Sequence, residues 1–171
     1  MELNRKEIII KDACILIDLV ELELLELFFR LEIIAFTTGA VIGEITNEMQ
    51  LAKILVHINN GELKIDSGGE LEIISKIADE NPGLSIADSS VLELAMRKEA
   101  TIFSSDGALR KISIKKGLIV KGLLWIIEEM CIKNILTVDR ALERLTRYVE
   151  INQRSAPKNE MEKLINKLKN N

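Results

Sequence analysis

Short β-branched runs alternate along the chain with longer stretches in which apolar residues recur at helical spacing. The run Ile8-Ile9-Ile10 predicts a first strand, and the densely apolar stretch that follows, as far as Leu31, predicts a first helix. Similar runs predict four more strands at residues 33–36, 63–65, 101–103 and 118–120. Strands that alternate with helices in this way indicate an α/β domain in which helices cover both faces of a parallel sheet.

Capping residues and helix breakers place the remaining helices. A hydroxyl in Thr37-Thr38-Gly39 can begin a helix over residues 41–55, and Ser85 and Asp88 have the spacing of a capping box that opens a helix ending near Lys98. Further helices are predicted at residues 70–79 and 109–116. Beyond Gly122 the pattern is only helical, at residues 123–132, 138–151 and 158–169, with a break near Ser155-Ala156-Pro157.

The chain is predicted to contain one α/β domain at residues 1–152 and a basic helical tail at residues 153–171. Its length of 171 residues fits a single ordinary domain. The tail contains the weakly amphipathic sequence MEKLINKLK, which can pack on the domain, pair with a partner or fray.

The composition argues against several classes of protein. Cys14 and Cys131 lie far apart, and no Cys/His cluster has the spacing of zinc ligands, so neither a disulfide framework nor structural zinc is indicated. No apolar run approaches the roughly 18 residues that a membrane span needs, and the first residues lack the apolar core of a signal peptide. We therefore expect a protein of the reducing cytoplasm with no membrane association.

Charge is distributed unevenly along the chain. Residues 1–99 hold 9 Lys and Arg against 19 Asp and Glu, whereas residues 100–171 hold 14 against 8, for a net charge of -4 overall. A basic surface beside an acidic pocket suits a metal-dependent enzyme that acts on a phosphodiester. Solvated helices that differ in charge by chance explain the same numbers equally well.

Acidic residues follow several of the predicted strands. Asp12 follows the first strand and Asp106 the fourth, while Asp88 begins the helix that leads into the fourth strand and Glu44 lies shortly after the second. Taken singly, an Asp at such a position is usually a cap or a turn former. In a doubly wound sheet, however, ligands bind beyond the carboxyl ends of the strands, so the repetition predicts that these carboxylates share one cleft.

Four carboxylates in one cleft would repel one another, and burial would raise their pKa values until some became protonated. A divalent cation removes this conflict. Mg²⁺ and Mn²⁺ favour carboxylate and water oxygens and keep positions open for a phosphate oxygen and a hydroxide. Such an ion lowers the pKa of bound water and neutralises developing charge, so the pattern favours metal-dependent phosphodiester hydrolysis.

Three blocks of the sequence resemble the PIN-domain nuclease family. The first, from Ile8 to Leu19, is an apolar strand followed by Asp12, two small residues and an apolar helix. The second is Leu84-Ser85-Ile86-Ala87-Asp88 with an apolar helix after it, and the third is residues 101–110 followed by residues 117–122. The resemblance covers about residues 8 to 130. It implies a Rossmann-like three-layer α/β/α fold with a parallel sheet of four to five strands, plus C-terminal helices.

The resemblance also implies roles for individual residues. Asp12, Asp88 and Asp106 take the metal-site positions, and Glu44 matches the second acidic position, less securely because Glu48 stands one helical turn later. Ser104 is the small hydroxylic residue expected before the last Asp. The implied activity is a Mg²⁺- or Mn²⁺-dependent endoribonuclease, often the toxin of a toxin–antitoxin pair, so an inhibitory antitoxin is an expected partner.

Two residues depart from the family pattern. Where many members carry Thr and then Asn or Ser after the first Asp, this chain has Ala13 and Cys14. The change removes a hydroxyl or amide that could orient the acidic cluster. A PIN-like module that binds RNA or protein without cutting therefore stays open as an alternative.

Basic residues follow the last acidic candidate and are candidates for contacts with the RNA backbone: Arg110, Lys111, Lys115, Lys116 and Lys121. A solvated basic helix explains them equally well. Residues 19–31 and 123–127 are more apolar than one helix face needs, which indicates either a homodimer interface or helices buried on both sides.

A signalling domain of the receiver type is a further alternative. In that interpretation Asp12 and Asp66 would be the acidic and phosphoacceptor residues, with Ser104 and Lys121 as the hydroxyl and lysine partners. An acidic pair is missing before Asp12, and the alignment of Glu44, Asp88 and Asp106 stays unexplained.

Overall fold

A computed structural model describes residues 7–153 and 156–170, with side chains from residue 12 onward, so Ser155 of the predicted break lies outside it. The described residues form one parallel sheet in the order β3-β2-β1-β4-β5. Its strands are β1 (Glu7–Lys11), β2 (Ile33–Thr38), β3 (Leu63–Asp66), β4 (Thr101–Phe103) and β5 (Val120–Lys121). The predicted α/β class is confirmed.

Helices occupy most of the remaining described chain. They are α1 (Ala13–Glu21), α2 (Leu25–Phe28), α3 (Gly39–Glu44), α4 (Glu48–Asn59), α5 (Leu71–Glu80), α6 (Ile86–Lys98), α7 (Gly107–Lys115), α8 (Leu123–Ile132), α9 (Val138–Ile151) and α10 (Lys158–Lys169). None of these helices is long and apolar enough to cross a lipid bilayer.

The strand order reverses at β1, and this decides where a site can form. The chain moves outward from β1 through β2 to β3 and then returns to β4 on the other side of β1. Right-handed connections place α1, α2 and α4 on one face of the sheet and α5 to α7 on the other. The short helix α3, directly after β2, packs against α6. The helix contacts agree with this division, because α1 packs against α4 and α5 packs against α6. The carboxyl ends of β1 and β4 are where a parallel sheet with such a reversal places its ligand crevice.

Two predicted helices are each divided into two in the structure. The first helix, expected as far as Leu31, breaks after Glu21, where Glu23 adopts a left-handed conformation with φ of 54°. Leu22 and Leu24 are both fully buried, and a continuous helix would turn one of them away from the core. The prediction of one continuous helix was wrong, because a single helix face cannot bury all the apolar residues of this stretch.

The second division separates α3 from α4. Residues 41–55 were predicted as one helix, but Asn47 caps a new helix by accepting hydrogen bonds from the amides of Met49 and Gln50 at 3.0 and 3.1 Å.

The last strand is also displaced from its predicted position, and begins only at Val120. Gly117, with φ of 80°, closes α7 at this point, and the amide of Leu118 still bonds to the carbonyl of Ser113 at 3.0 Å. The remaining boundaries agree with the predictions to within a few residues.

The apolar stretches that raised the question of a dimer are buried within the single chain. Leu19, Leu22, Leu24 and Phe28 have no exposed surface, and neither have Ile126 and Ile127 of α8. Burial on both sides therefore accounts for them, while homodimerisation itself stays a prediction. The C-terminal helix α10 packs against α8 and α9 through Met161, Leu164 and Leu168, each 6% exposed or less.

Candidate active site

Asp12 lies at the carboxyl end of β1, at the reversal of strand order. It is 2% exposed and caps α1, because its Oδ1 accepts a hydrogen bond from the amide of Ile15 at 2.9 Å. Its other oxygen, Oδ2, accepts a hydrogen bond from Ser104 Oγ at the end of the neighbouring strand β4. The register of the sheet brings these residues together, since Lys11 pairs with Phe103 immediately before them.

Asp88 and Asp106 also lie at helix N-termini. Asp88 is the third residue of α6, and its Oδ2 accepts a hydrogen bond from the amide of Ser85 at 3.0 Å, which confirms the predicted capping box. Asp106 caps α7 by accepting a hydrogen bond from the amide of Leu109 at 2.8 Å. The N-terminus of a helix carries partial positive charge, so each of the three acids lies at a helix end that attracts negative charge.

The charges of these acids act on one another. Burial raises the pKa of Asp12 to about 7, the hydrogen bonds from Ser104 and Ile15 oppose this change, and the negative charges of Asp88 and Asp106 add to it. Carboxylates separated by 76 and 94 positions along the chain therefore lie close enough in space to repel Asp12. This is the convergence that the strand-end pattern predicts for these three residues.

The oxygens that remain available fit a hydrated divalent cation. Asp88 and Asp106 each use one carboxylate oxygen for their helix caps, which leaves the other oxygen of each outside the cap. Within residues 7–153 and 156–170, no three or more His, Cys, Asp or Glu side chains form a cage that could hold a metal ion. Mg²⁺ seldom needs such a cage, because it keeps several waters and binds through one or two carboxylates and substrate phosphates.

Glu44 occupies a different position from the other three acids. It is the last residue of α3 and is exposed, and it is not among the groups that raise the pKa of Asp12. The helix itself is held firmly: Thr38 caps it at the amide of Val41, and Thr38 Oγ1 lies 2.7 Å from Ser90 Oγ of α6. The structure thus anchors α3 beside α6 but leaves the Glu44 side chain at the surface.

Of the five basic candidates, two lie nearest the acids. Arg110 is half-buried and donates a hydrogen bond from Nη1 to the backbone oxygen of Ser104 at 3.0 Å. Lys121 places its Nζ 3.7 Å from the ring centroid of Trp125. Lys111, Lys115 and Lys116 are exposed on or just after α7. We call these five residues the basic strip; four of them lie on or just after α7, on different sides of the helix.

Asp18, six residues after Asp12 in α1, is an acid that the strand-end pattern does not single out. The structure half-buries it, and its Oδ2 accepts a hydrogen bond from Ser105 Oγ at 3.1 Å. Burial raises the pKa of Asp18 to about 6, against the opposing effects of Ser105 and Asn152. Asp18 also acts on Tyr148 of α9, so its surroundings come from a helix 130 residues away. Its position six residues after Asp12 could have been a signal only if the placement of α9 had been known.

The two residues that depart from the family pattern lie beside the acids without adding charge. Cys14 follows Ala13 in the first turn of α1. Burial raises the pKa of the Cys14 thiol to about 12, and the charges of Asp12, Asp106, Asp18 and Asp88 contribute to the same change. The thiol is therefore neutral near pH 7, so it neither competes as an anion nor acts as a thiolate nucleophile. Both cysteines are free, as the sequence predicted.

Asp66, the phosphoacceptor of the receiver alternative, lies apart from this cluster. It ends the edge strand β3, and β2 separates that strand from β1. Arg97 donates a hydrogen bond to its Oδ1, and Lys98 Nζ lies 3.4 Å from its Oδ2. Although burial opposes the change, these cations and the amide of Gly68 hold the pKa of Asp66 below its usual value. The Asp66 carboxylate is therefore held in a structural ion pair and is not free to accept a phosphoryl group.

Comparison with known proteins agrees with the fold. A family model described as a PIN domain matches residues 8–170, which is nearly the whole chain. A search of curated proteins returned no match. Because the match runs from β1 through α10 and includes all three converging aspartates, the chain belongs to the PIN-domain family.

Proposed function

We propose that this protein is a Mg²⁺- or Mn²⁺-dependent endoribonuclease. PIN domains are generally nucleases, and the chain belongs to that family. The observation that carries the proposal is the proximity of Asp88 and Asp106 to Asp12 beyond the β1 and β4 strand ends, with one carboxylate oxygen of each lying outside its helix cap. We assign Asp12, Asp88 and Asp106 as metal ligands and Glu44 as a fourth catalytic acid.

A bound cation would lower the pKa of a water molecule and offset the charge that develops on the phosphodiester. The chain's own residues supply the rest. Ser104 holds Asp12 through its Oγ and accepts a hydrogen bond from the amide of Asp106 at 2.9 Å, so one hydroxyl sets the relative positions of two ligands. Side chains that orient metal ligands in this way commonly affect activity by about 10- to 100-fold.

The basic strip supports a polyanionic substrate. Arg110 and Lys121 flank the crevice, and Lys111, Lys115 and Lys116 extend the positive charge along α7. Contacts of this kind position a nucleic acid strand without reading its sequence, and each one weakens as salt is added. We therefore infer that the strip holds the RNA backbone on either side of the scissile bond.

Membership in a toxin–antitoxin pair is the biological role we propose for this activity. It would require an inhibitory antitoxin, a cytoplasmic location and, in the form we expect, a homodimer. The neighbouring reading frames test this role directly, because a small antitoxin-like protein should be encoded beside the gene. A gene that stands alone would argue against the toxin role while leaving the ribonuclease untouched.

The test of the enzyme is a comparison of Mn²⁺ binding and RNA cleavage among matched variants. We expect Asp12→Asn and Asp88→Asn to lose cleavage by more than about 100-fold and to bind Mn²⁺ more weakly, because each removes a ligand charge. The amide oxygen introduced by Asp88→Asn can still accept the hydrogen bond from Ser85, so the fold should persist. Asp139→Asn is the control, since Asp139 is an exposed carboxylate in the first turn of α9.

Glu44→Gln is measured separately because its carboxylate lies outside the cluster. A loss of cleavage with unchanged Mn²⁺ affinity would place Glu44 in the reaction rather than in ion binding.

RNA cleavage and Mn²⁺ binding that persist in both Asp12→Asn and Asp88→Asn would refute the assigned site. Metal binding by the wild type without cleavage of single-stranded or structured RNA would favour the inert RNA- or protein-binding module, which Ala13 and Cys14 keep open.

A further inference from the structure

The loop that joins β4 to α7, residues 104–106, belongs to the candidate active site and also borders a cavity. Ser104 begins the loop, and Asp106, a proposed metal ligand, ends it. The loop lines a cavity of about 410 Å³ that extends to Trp125 at the start of α8 and Glu160 at the start of α10. A void offers no contact atoms to the groups that line it, so packing does not fix the loop on this side.

Polar side chains hold the loop from the other directions. Ser104 Oγ donates a hydrogen bond to Asp12, and the Ser104 backbone oxygen accepts one from Arg110 Nη1 at 3.0 Å. Ser105 Oγ donates a hydrogen bond to Asp18 Oδ2 at 3.1 Å. This last bond connects the middle residue of the loop to helix α1.

The C-terminal end of α9 covers the contact between Ser105 and Asp18. The charge of Asp18 raises the pKa of Tyr148, and Asn152 opposes the rise in the pKa of Asp18, so both residues lie beside this carboxylate. Ser105 also acts on the pKa of Tyr148. A hydrogen bond to a carboxylate is stronger where neighbouring groups exclude water, because less solvent competes for the donor.

The stability of the fold does not account for the presence of Asp18. Burial raises the pKa of Asp18 to about 6, so near pH 8 its ionised carboxylate lowers the free energy of unfolding. Asp18 is also not among the groups that raise the pKa of Asp12, which sets it apart from the three converging aspartates. A half-buried acid that costs stability beside a crevice is a candidate for a functional role.

We propose that Asp18 is a positioning residue, which acts through Ser105 to hold the loop that carries Asp106 in the position that RNA cleavage requires. The inference rests on the proposed ribonuclease function. A hydrated Mg²⁺ or Mn²⁺ keeps several waters and tolerates a small displacement of one carboxylate. The alignment of the reacting groups is stricter, since a misplacement of about 1 Å can cost on the order of 100-fold in rate. Asp18 therefore affects kcat more than metal affinity.

Cleavage kinetics test this role. Asp18→Ala should lower kcat by roughly tenfold and change KM and Mn²⁺ affinity by no more than about twofold, because the metal ligands and their helix caps remain. Asp18→Asn retains an oxygen that can accept from Ser105, so it should keep at least about half of the wild-type kcat. An asparagine variant as slow as the alanine variant would overturn the proposal.

A double-mutant cycle separates action through Ser105 from an independent effect of Asp18. If Asp18 acts through Ser105, the double variant Asp18→Ala/Ser105→Ala should lose no more kcat than Asp18→Ala alone. Losses of kcat that multiply in the double variant would show that the two residues act independently, which contradicts the proposal.

Amide hydrogen exchange tests the loop without metal or RNA. The Asp106 amide donates to Ser104 Oγ at 2.9 Å, and with EDTA present it should exchange roughly tenfold faster in Asp18→Ala but at the wild-type rate in Asp18→Asn. The Asp88 amide, which donates to Ser85 Oγ at 3.0 Å, is the internal control, because global unfolding would accelerate both amides.

The exchange results distinguish failure of this proposal from failure of the ribonuclease. Unchanged exchange at Asp106 in Asp18→Ala would overturn the positioning role even where the wild type cleaves RNA. Faster exchange at Asp106 but not at Asp88, in a wild-type background that fails to cleave RNA, would support the hold of Asp18 on the loop and count against the ribonuclease.

Discussion

At the scale of single residues, Ser104 is the residue that joins the site together. Its hydroxyl is completely buried, donates to Asp12 and accepts from the amide of Asp106. Its backbone oxygen accepts from Arg110. One small side chain therefore connects two candidate metal ligands, and its neighbour Ser105 forms a separate contact with Asp18.

Ser104→Ala should reduce RNA cleavage by about 10- to 100-fold and weaken Mn²⁺ binding, because Asp12 loses the donor that orients its carboxylate. Stability should fall by about 1–3 kcal/mol, since the amide of Asp106 loses its partner. Ser105→Ala is the matched control at the adjacent exposed position and should leave Mn²⁺ affinity unchanged. Equal effects in the two variants would show that Ser104 has no special link to the metal ligands.

Asp18 should make stability depend on pH. Its pKa is about 6 in the folded chain and near 3.8 in the unfolded chain, so the native state holds a proton that the unfolded state releases. Stability from this group is complete below about pH 4 and is lost as pH rises through about 6. Asp18→Asn should therefore be more stable than the wild type at pH 8 by about 1–2 kcal/mol, allowing for solvent screening.

Urea denaturation at pH 4, 6 and 8 measures this difference. The two proteins should have similar stability near pH 4 and diverge as pH rises. Asp139→Asn, at an exposed helix start, should follow the wild type throughout. An Asp18→Asn variant that is less stable at pH 8, or that keeps the slope of the wild type between pH 4 and 6, would contradict the assignment.

At the scale of secondary-structure elements, helix caps position the acids. Three helices begin at the crevice, and each begins with one of the aspartates or its capping partner. The central helix α6 is buried on nearly all sides and contacts β1, β2 and β4, so the position of Asp88 follows from the packing of the whole helix. At its other end α6 stops at Glu99, which has a left-handed conformation with φ of 51°.

Glu99→Gly should stabilise the chain by about 0.5–1 kcal/mol, because glycine adopts the left-handed conformation without the strain that a Cβ imposes. The free energy of unfolding in urea is the measurement. Glu99→Ala keeps the Cβ and should bring no such gain. A glycine variant no more stable than the alanine variant would show that the conformation of Glu99 carries little strain.

At the scale of the whole molecule, the C-terminal helices complete the structure around the site. Tyr148 of α9 reaches the surroundings of Asp18, and Glu160 of α10 forms a wall of the cavity beside Ser104. The family match extends through α10 to residue 170. Of the three possibilities left open for this basic segment, the structure shows packing against α8 and α9.

Leu164→Ala should destabilise the whole chain by about 2–4 kcal/mol, because Leu164 is 6% exposed and its loss leaves a cavity between α10 and its neighbours. Trp125 fluorescence and circular dichroism should shift together in urea, since Trp125 lies on α8. Lys163→Ala, at an exposed position on the same helix, should change stability by no more than about 0.5 kcal/mol. A Trp125 transition unchanged in Leu164→Ala would mean that α10 frays independently of the domain.

Local signals in the sequence were sufficient for the first four strands, most helix boundaries and the order of the acids along the chain. The capping box at Ser85 and Asp88 involves residues three apart, and Thr101–Phe103 is a short apolar run before a polar residue. Such features depend on the neighbouring few residues, because hydrogen bonds between nearby groups and the alternation of apolar residues are local properties. The order of these elements was enough to predict that Asp12, Asp88 and Asp106 come together.

Only the tertiary structure decided which side chains are buried and what surrounds them. The break at Glu23, the half-burial of Asp18 and the cavity between Trp125 and Glu160 all depend on helices that lie far away in the sequence. Burial is a property of the packed assembly, since each buried group is covered by residues from several elements. The sequence by itself therefore determined the identity and order of the candidate ligands, while packing decided the exposure of Glu44, the environment of Asp18 and the walls of the adjoining cavity.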